Sequence, residues 1–148
     1  MPLRALRNSD IPSLAAWLPA VASASGFDRW VDAQTLSNAI GNDNALLYTD
    51  DAGQAFVAFA LNTPKRNAAA VDFIAVAPER RRLGIGGRAA IALERRLSKT
   101  TRQIYVAVPS STGLALYFWL RLGYRPLMRP DWPAPLDGAS TWMLRELR

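Results

Sequence analysis

The chain has 148 residues and a mass of 16.3 kDa, which corresponds to one ordinary domain spanning residues 1–148. It contains no cysteine and no histidine, which excludes disulfides, thiolate nucleophiles, imidazole bases and metal sites built from these residues. Half of the residues are apolar, as in globular domains, and the net charge of +6 is carried almost entirely by arginine, which favours an anionic partner.

The first half of the chain alternates between strand-like and helix-like patterns. Ser9 or Asp10 is suited to cap a helix that has Pro12 in its first turn, and the turn-forming residues 50–53 separate two apolar runs, which indicates a hairpin. The predicted strands are Leu3–Arg7, Ala45–Thr49, Gln54–Leu61 and Ala69–Val76, and the predicted helices are Ile11–Val21 and Asp28–Ile40.

The second half of the chain contains the clearest helical periodicity. Ile85, Ala89 and Leu93 recur on one helical face, while the arginines lie largely off it. The predicted helices are Ile85–Leu97 and Thr112–Leu122, and the predicted strands are Gln103–Val108, Tyr124–Met128 and Ser140–Leu147. The element order predicts an α/β protein in which a mixed sheet carries helices on both faces.

A glycine-rich turn follows the strand that ends at Val76 and opens directly into the helix at Ile85. Its three glycines, Gly84, Gly86 and Gly87, let the backbone approach a ligand closely, and the unpaired N–H groups of a helix start attract phosphate. Three consecutive arginines, at 80–82, add charge-assisted donors beside it. The segment therefore predicts a phosphate cradle.

Two common phosphate motifs describe this turn poorly. The nucleotide P-loop requires a lysine after its last glycine, and Arg88 stands there instead. The turn formally matches the dinucleotide fingerprint G-x-G-x-x-A, but the region around Ile104 and Tyr105 lacks the acidic residue that the fingerprint requires.

The segment Arg81-Arg82-Leu83-Gly84-Ile85-Gly86 instead resembles the acyl-CoA-binding motif of the GNAT N-acetyltransferase superfamily, Arg/Gln-x-x-Gly-x-Gly/Ala. The preceding Val76-Ala77-Pro78-Glu79 is typical of that family, and the block 116–124, LYFWLRLGY, resembles its Leu-Tyr-x-x-x-x-Gly-Phe helix end. The element order also fits the family over nearly the whole chain. The resemblance implies a GNAT-like three-layer fold with a mixed, mostly antiparallel sheet of about seven strands and about four flanking helices.

By this resemblance, the chain is expected to be an N-acetyltransferase that moves an acetyl group from its cosubstrate acetyl-CoA to a primary amine by direct attack in a ternary complex, without a metal. Tyr117 would be the general acid that protonates the departing thiolate. The residues expected to hold the cosubstrate are Ile74, Ala75, Val76, Arg81, Arg82, Leu83, Gly84, Ile85, Gly86, Gly87 and Ser110.

The sequence departs from the family pattern at the residues that would surround the reaction. Ser110 stands where many members have asparagine, and the positions where members carry a glutamate base align here with Tyr105 or fall near Ala70. Asp72 is the only carboxylate on its strand, and it shares parity with Ile74, so we expect it to face the same side and to be the candidate base.

The acceptor is expected to bind at the variable segments Phe27–Ile40 and Arg129–Asp137. The aromatic candidates to line that pocket are Trp17, Phe27, Trp30 and Trp132. The charged candidates to orient a charged acceptor are Arg129 and Asp131. The acceptor itself, a small molecule or the amine of a peptide N-terminus or lysine, is not identified by these residues.

Two other function classes remain open at the level of sequence. The missing glutamates favour a non-catalytic CoA-binding or regulatory module of the same fold, and retained Tyr117 argues against it. The positive charge favours a nucleic-acid-binding protein, but the sequence has no recognisable helix-turn-helix or RNA-binding signature. We expect a cytoplasmic monomer or homodimer without a membrane segment, since no apolar run approaches about 18 residues.

Overall fold

A computed structural model describes residues 3–24, 33–40, 45–51, 53–77, 84–109, 113–136 and 140–147 of the chain. Within this part the strands are β1 Leu3–Ala5, β2 Ala45–Asp50, β3 Gly53–Leu61, β4 Ala68–Val76, β5 Gln103–Pro109, β6 Arg125–Pro126 and β7 Ser140–Glu146. They form one sheet in the order β1-β2-β3-β4-β5-β7-β6. The pairs β1–β2, β2–β3, β5–β7 and β6–β7 are antiparallel and β4–β5 is parallel, which confirms the predicted α/β class with its mixed sheet.

The described helices are α1 Ile11–Ala15, α2 Leu18–Ala24, α3 Ala33–Ala39, α4 Ile85–Leu97 and α5 Gly113–Arg121, with short 3-10 turns at Asn8–Asp10 and Arg129–Asp131. The bounds of α4 agree with those predicted from its periodicity, and its apolar residues Ile85, Ala89 and Leu93 are buried as expected. No helix in the described ranges is long and apolar enough to cross a membrane.

The predicted helix Ile11–Val21 is wrong as one element, because the structure divides it into α1 and α2. Pro19 explains the break, since it has no N–H to donate to the carbonyl of Ala15 and its ring clashes with that carbonyl. The Trp17 N–H instead bonds to the carbonyl of Leu14 at 3.1 Å, and the helix restarts at Leu18.

The predicted cap at Ser9 or Asp10 is only half right. Asp10 occupies the N-cap position of α1, but its side chain makes no capping bond to that helix. Its carboxylate instead accepts hydrogen bonds from the Arg7 backbone N–H at 2.8 Å and from both terminal nitrogens of Arg4 at 2.8 Å. Asp10 therefore ties β1 to the turn before α1 and satisfies donors of that turn.

The remaining differences lie at element ends. The strand predicted at Tyr124–Met128 forms ladder pairs only at Arg125 and Pro126, because Tyr124 belongs to the end of α5 and Pro126 cannot donate to a ladder. The start of the helix predicted at Asp28–Ile40 lies outside the described residues, and α3 accounts for Ala33–Ala39 of it. The hairpin predicted around 50–53 is confirmed, with Asp50 paired to Gly53.

Contacts divide the chain into two compact units. The first unit is Met1–Ala58 with Phe73–Ala92, and the second is Phe59–Asp72 with Leu93–Arg148. The first unit has a hydrophobic core in which α1, α2 and α3 pack on strand residues such as Leu47, Phe56 and Phe73. Trp17, expected as a pocket residue, is half-buried against this core, and its indole N–H bonds to Gln54 Oε1 at 3.1 Å.

Candidate functional site

At the end of β4, the side chains on one face of the strand are half-buried and those on the other face are fully buried. Asp72, Ile74 and Val76 are half-buried, whereas Phe73 and Ala75 are fully buried. By this alternation, Asp72 lies on the same face of the strand as Ile74 and Val76. The other face of the strand belongs to the core.

The parallel ladder between β4 and β5 pairs the first residues of the two strands. It joins Ala68–Val71 to Gln103–Val106, and β4 continues along the chain to Val76. Backbone amides and carbonyls of a strand can hydrogen-bond an extended ligand in the way that they bond a neighbouring strand.

Gly84 shapes the turn that begins α4. It has φ +74°, a conformation that favours glycine, and its carbonyl accepts the first helical hydrogen bond from the Arg88 N–H at 3.1 Å. The following N–H groups, of Ile85, Gly86 and Gly87, are therefore in the first turn, where a helix has no internal acceptors for them. Because Ile85 is completely buried, its side chain anchors this turn to the interior.

Gly87 leaves open space above the first turn of α4. Outside its own helix, a Cβ built on Gly87 meets no atom of the described residues within 4 Å. Packing among these residues therefore does not require glycine at this position, and a glycine here lets a ligand approach the backbone closely. Together with the positive end of the helix dipole, this opening suits an anion.

Arg88 is held beside the glycine turn by a chain of hydrogen bonds within the first unit. Its Nε donates to Asp50 Oδ2 at 2.9 Å, and the same oxygen accepts from the Tyr48 hydroxyl at 2.9 Å. A Cβ on Gly84 would lie 3.4 Å from Arg88 Nη1, which places the guanidinium against the turn. The guanidinium is thus positioned beside the turn as one partner of an ion pair with Asp50.

The protonation states of this chain of residues favour the same arrangement. Burial raises the pKa of the Tyr48 hydroxyl, so it stays protonated and donates to Asp50. The hydrogen bond to Asp50 raises the pKa of Arg88, which stays charged. The pairing of Arg88 with Asp50 was not predicted from the sequence, because no local pattern links positions 38 residues apart. In the sequence, Arg88 is one of several arginines and Asp50 is a turn residue.

Tyr117 lies on α5 in the second unit, on the helix predicted for it. Its side chain is 60% exposed, and the guanidinium of Arg121 lies over its ring at 5.6 Å, one helical turn away. The phenol is therefore accessible to a ligand and is not part of the core. This exposure is compatible with the expected role of general acid.

The helix end that carries the family-like motif is a Schellman cap. Gly123 has φ +98°, its N–H bonds to the Leu120 carbonyl at 3.0 Å, and the Tyr124 N–H bonds to the Trp119 carbonyl at 3.1 Å. The rings of Trp119 and Tyr124 meet edge to face with centroids 4.8 Å apart, which supplies the hydrophobic contact of this motif. The glycine and the aromatic residue after it therefore end α5.

A second constraint on Gly123 comes from β7. Arg145 crosses the glycine so closely that a Cβ there would overlap its guanidinium. Arg145 also forms an ion pair with Glu94 of α4 at 2.8 Å, and burial raises the pKa of Glu94 while Arg145 opposes that shift. These contacts fix the C-terminal end of the helix that carries Tyr117.

Several expected site residues lie outside the described ranges. They are Arg81, Arg82, Leu83 and Ser110 of the expected cosubstrate site, and Phe27, Trp30 and Asp137 of the expected acceptor segments. Trp132 and Arg129 are described and lie together, with the Arg129 guanidinium 5.4 Å from the Trp132 ring centroid. The described residues contain no group of three or more acidic side chains that could hold a metal ion.

Comparisons with solved structures show the fold of the chain. An acetyltransferase of the GNAT family from Staphylococcus aureus Mu50 is 19% identical, with a TM-score of 0.70 over 99% of this chain and 98% of that one. A ribosomal-protein-alanine N-acetyltransferase from Brucella melitensis is 15% identical, with a TM-score of 0.75 over 99% and 100% of the two chains.

A third similar structure was solved with coenzyme A. It is the paia N-acetyltransferase from Thermoplasma acidophilum, 15% identical, with a TM-score of 0.76 and coverage of 97% of each chain. These levels of identity show a shared fold. No curated protein matches the sequence.

The sequence model of the acetyltransferase (GNAT) domain matches residues 18–131, which is well over half of the chain. The match includes the glycine turn at Gly84 and the capped end of α5 at Gly123, which are the two segments that the family resemblance depends on. The chain therefore belongs to the GNAT acetyltransferase family.

Proposed function

We propose that this protein is an N-acetyltransferase that moves an acetyl group from acetyl-CoA to a primary amine by direct attack in a ternary complex. The observation that carries the proposal is the start of α4 after Gly84, which follows β4 along the chain and whose first-turn N–H groups have no acceptors within the helix. An extended amide-containing chain suits a strand edge, and a pyrophosphate suits a helix start. Coenzyme A contains both groups.

Within this proposal, the residues of the cradle have separate tasks. The backbone of Ile74, Ala75 and Val76 holds the pantetheine and the acyl carbonyl, and the turn from Arg81 to Gly87 holds the pyrophosphate. Ser110 adds a hydroxyl that can hydrogen-bond the cosubstrate. Arg88 adds a positive charge that Asp50 keeps against the turn. The first three assignments follow the family resemblance, and the one for Arg88 follows from its hydrogen bond to Asp50.

The chemistry requires few side chains. Acetyl-CoA supplies the thioester. A backbone N–H of β4 stabilises the negative charge that develops on the acyl oxygen as the amine nitrogen attacks, and the phenol of Tyr117 gives its proton to the sulfur as the carbon–sulfur bond breaks. Asp72, directly or through water, accepts the proton that the amine loses. No cysteine or histidine is needed.

The need for a base depends on the amine. Bringing a lysine-like amine, with a pKa of about 10.4, to its neutral form at pH 7 costs about 4.6 kcal/mol, whereas an α-amine with a pKa near 7.7 costs about 1 kcal/mol. A site with only Asp72 on its strand therefore favours an α-amine acceptor. The name of the structurally similar Brucella protein, a ribosomal-protein-alanine N-acetyltransferase, is compatible with this preference.

Calorimetry with acetyl-CoA tests the cosubstrate directly. The proposal expects saturable binding, and the absence of heat up to millimolar ligand would overturn it together with the alternative of a non-catalytic CoA-binding module. Release of free thiol in the presence of amines, peptides and aminoglycosides then separates an enzyme from such a module. Binding without thiol release for any amine would favour the module.

The role of Tyr117 is tested by Tyr117→Phe, which removes only the hydroxyl. We expect kcat to fall by about 10²-fold or more, because general acid catalysis contributes about that much. The loss should shrink for acetyl thioesters of more acidic thiols, which leave without a proton. Tyr105→Phe is the matched control, since Tyr105 is buried in β5 with its ring against Trp142. Equal activity of Tyr117→Phe and the parent protein would refute the role.

The role of Asp72 is tested by the pH dependence of the rate. If Asp72 is the base, kcat/KM should rise through an ionisation well below the pKa of the amine, and that ionisation should vanish in Asp72→Asn. A profile that follows only the pKa of the amine, unchanged in Asp72→Asn, would show that the substrate loses its proton to water. Thermal unfolding of the variant checks that its fold is retained.

A further inference from the structure

The loop after β6 forms an open groove within the second unit. Its volume is about 390 Å³, which lies in the range of pockets for small molecules. The lining residues are Arg129, Trp132, Pro133, Ala134, Pro135 and Leu136. The groove is thus formed by one short stretch of chain.

This loop is fixed in place although it has little regular structure. The Trp132 indole N–H donates to the Leu127 carbonyl at 2.9 Å, and the Trp142 indole N–H donates to the Ala134 carbonyl at 2.8 Å. The Leu127 N–H bonds to the Trp142 carbonyl at 2.8 Å, which ties the loop to β7. Prolines at 130, 133 and 135 restrict the backbone further. A groove formed in advance costs little entropy when a ligand binds.

The chemistry of the lining is one cation among apolar groups. Among the described residues that line the groove, Arg129 alone is charged, and its guanidinium carbon lies 5.4 Å from the centroid of the Trp132 ring. A guanidinium beside an aromatic ring keeps its planar fork of N–H donors, which matches the two oxygens of a carboxylate. Asp131, which is exposed, is adjacent in sequence but does not line the groove.

We propose that this groove binds a small organic carboxylate, with the carboxylate on Arg129 and an apolar or aromatic group against Trp132 and the prolines. The apolar area of Trp132, Pro133, Pro135 and Leu136 excludes water from one side of the ligand, and the charge selects an anion. Carboxylate binding here does not depend on acetyl transfer, and it can be measured without acetyl-CoA.

The test uses phenylacetate as the probe and its neutral analogue phenylacetamide as the comparison. Binding is followed by the fluorescence of the protein and by the NMR signal of the Trp132 indole N–H, whose partner is the Leu127 carbonyl. We expect phenylacetate to bind at millimolar concentration and to shift this signal, and phenylacetamide to bind at least tenfold more weakly. Equal binding of the two compounds, or no binding of phenylacetate, would overturn the proposal.

Variants at the groove assign the site. Arg129→Gln should weaken phenylacetate binding at least tenfold, and Arg129→Lys should weaken it less, because it keeps the charge and loses the planar fork. The matched control is Arg121→Gln, since Arg121 also lies over an aromatic ring but lines no part of the groove. We expect Arg129→Gln to keep the loop in place, because Arg129 is exposed and the indole hydrogen bonds of Trp132 and Trp142 hold the loop without it. Unchanged binding in Arg129→Gln would place the carboxylate elsewhere and overturn the proposal.

Discussion

Substitution of Gly87 by alanine should make the protein more stable and a poorer binder of coenzyme A. Gly87 is the third residue of α4, and a Cβ there meets no atom of the described residues outside the helix within 4 Å. Alanine stabilises a helix interior by up to about 1 kcal/mol over glycine, and the first turn gains less, about 0.5 kcal/mol. For a protein of this size, we expect the melting temperature to rise by about 1–2 °C.

The same methyl group should obstruct the cosubstrate. It fills the space through which a phosphate would reach the N–H groups of the first turn, and each charge-assisted hydrogen bond that is lost is worth about 1.5–3 kcal/mol. Coenzyme A affinity should therefore fall at least tenfold, since about 1.4 kcal/mol corresponds to a factor of ten. At a ligand concentration of 100 times the parent Kd, stabilisation by coenzyme A should fall from about 2.7 to about 1.4 kcal/mol.

Thermal unfolding with and without coenzyme A measures both effects in one experiment. Gly84→Ala is the contrasting variant, because its φ of +74° strains any residue with a Cβ and should lower stability without ligand. Ile91→Ala, at an exposed position about one turn after Gly87 in α4, is the control and should leave the ligand-induced shift unchanged. Parental coenzyme A affinity in Gly87→Ala would refute the cradle, and a lower melting temperature without ligand would refute the packing argument.

Three further predictions follow from contacts within single units. Asp50→Asn should release Arg88 and so weaken coenzyme A binding severalfold in calorimetry. Arg95→Gln, on the same helix as Arg88, should leave the affinity unchanged. Equal affinities of Asp50→Asn and the parent would contradict the proposed role of Arg88. The hydrogen bond from Arg4 lowers the pKa of Asp10, so Asp10→Asn should lower the free energy of unfolding by about 1–3 kcal/mol at neutral pH. In denaturant unfolding, the difference between the variant and the parent should disappear as the pH falls below about 4. A difference in stability that persists in acid would exclude this cause. Gly123→Ala should lower the free energy of unfolding by about 1–3 kcal/mol in the same assay, because alanine is strained at this positive φ and its Cβ would overlap Arg145. A stabilised variant would show that the cap tolerates a Cβ.

Local sequence signals were sufficient where one element decides the outcome. The period of α4 predicted its bounds at Ile85 and Leu97, and the turn residues at 50–53 predicted the hairpin. The same reasoning missed the break in the first helix, although Pro19 was visible in the sequence. It also extended the strand at Tyr124, which the structure assigns to the helix cap that Gly123 forms.

The sequence by itself determined the family and the kinds of chemistry that are open to this chain. The absence of cysteine and histidine and the glycines at 84, 86 and 87 are properties of composition and spacing, and they need no coordinates. The tertiary structure decided which distant residues meet, namely Asp50 with Arg88 and Arg145 with Gly123. Local periodicity depends on neighbours within one or two turns, whereas these contacts join distant segments through the packing of the whole fold.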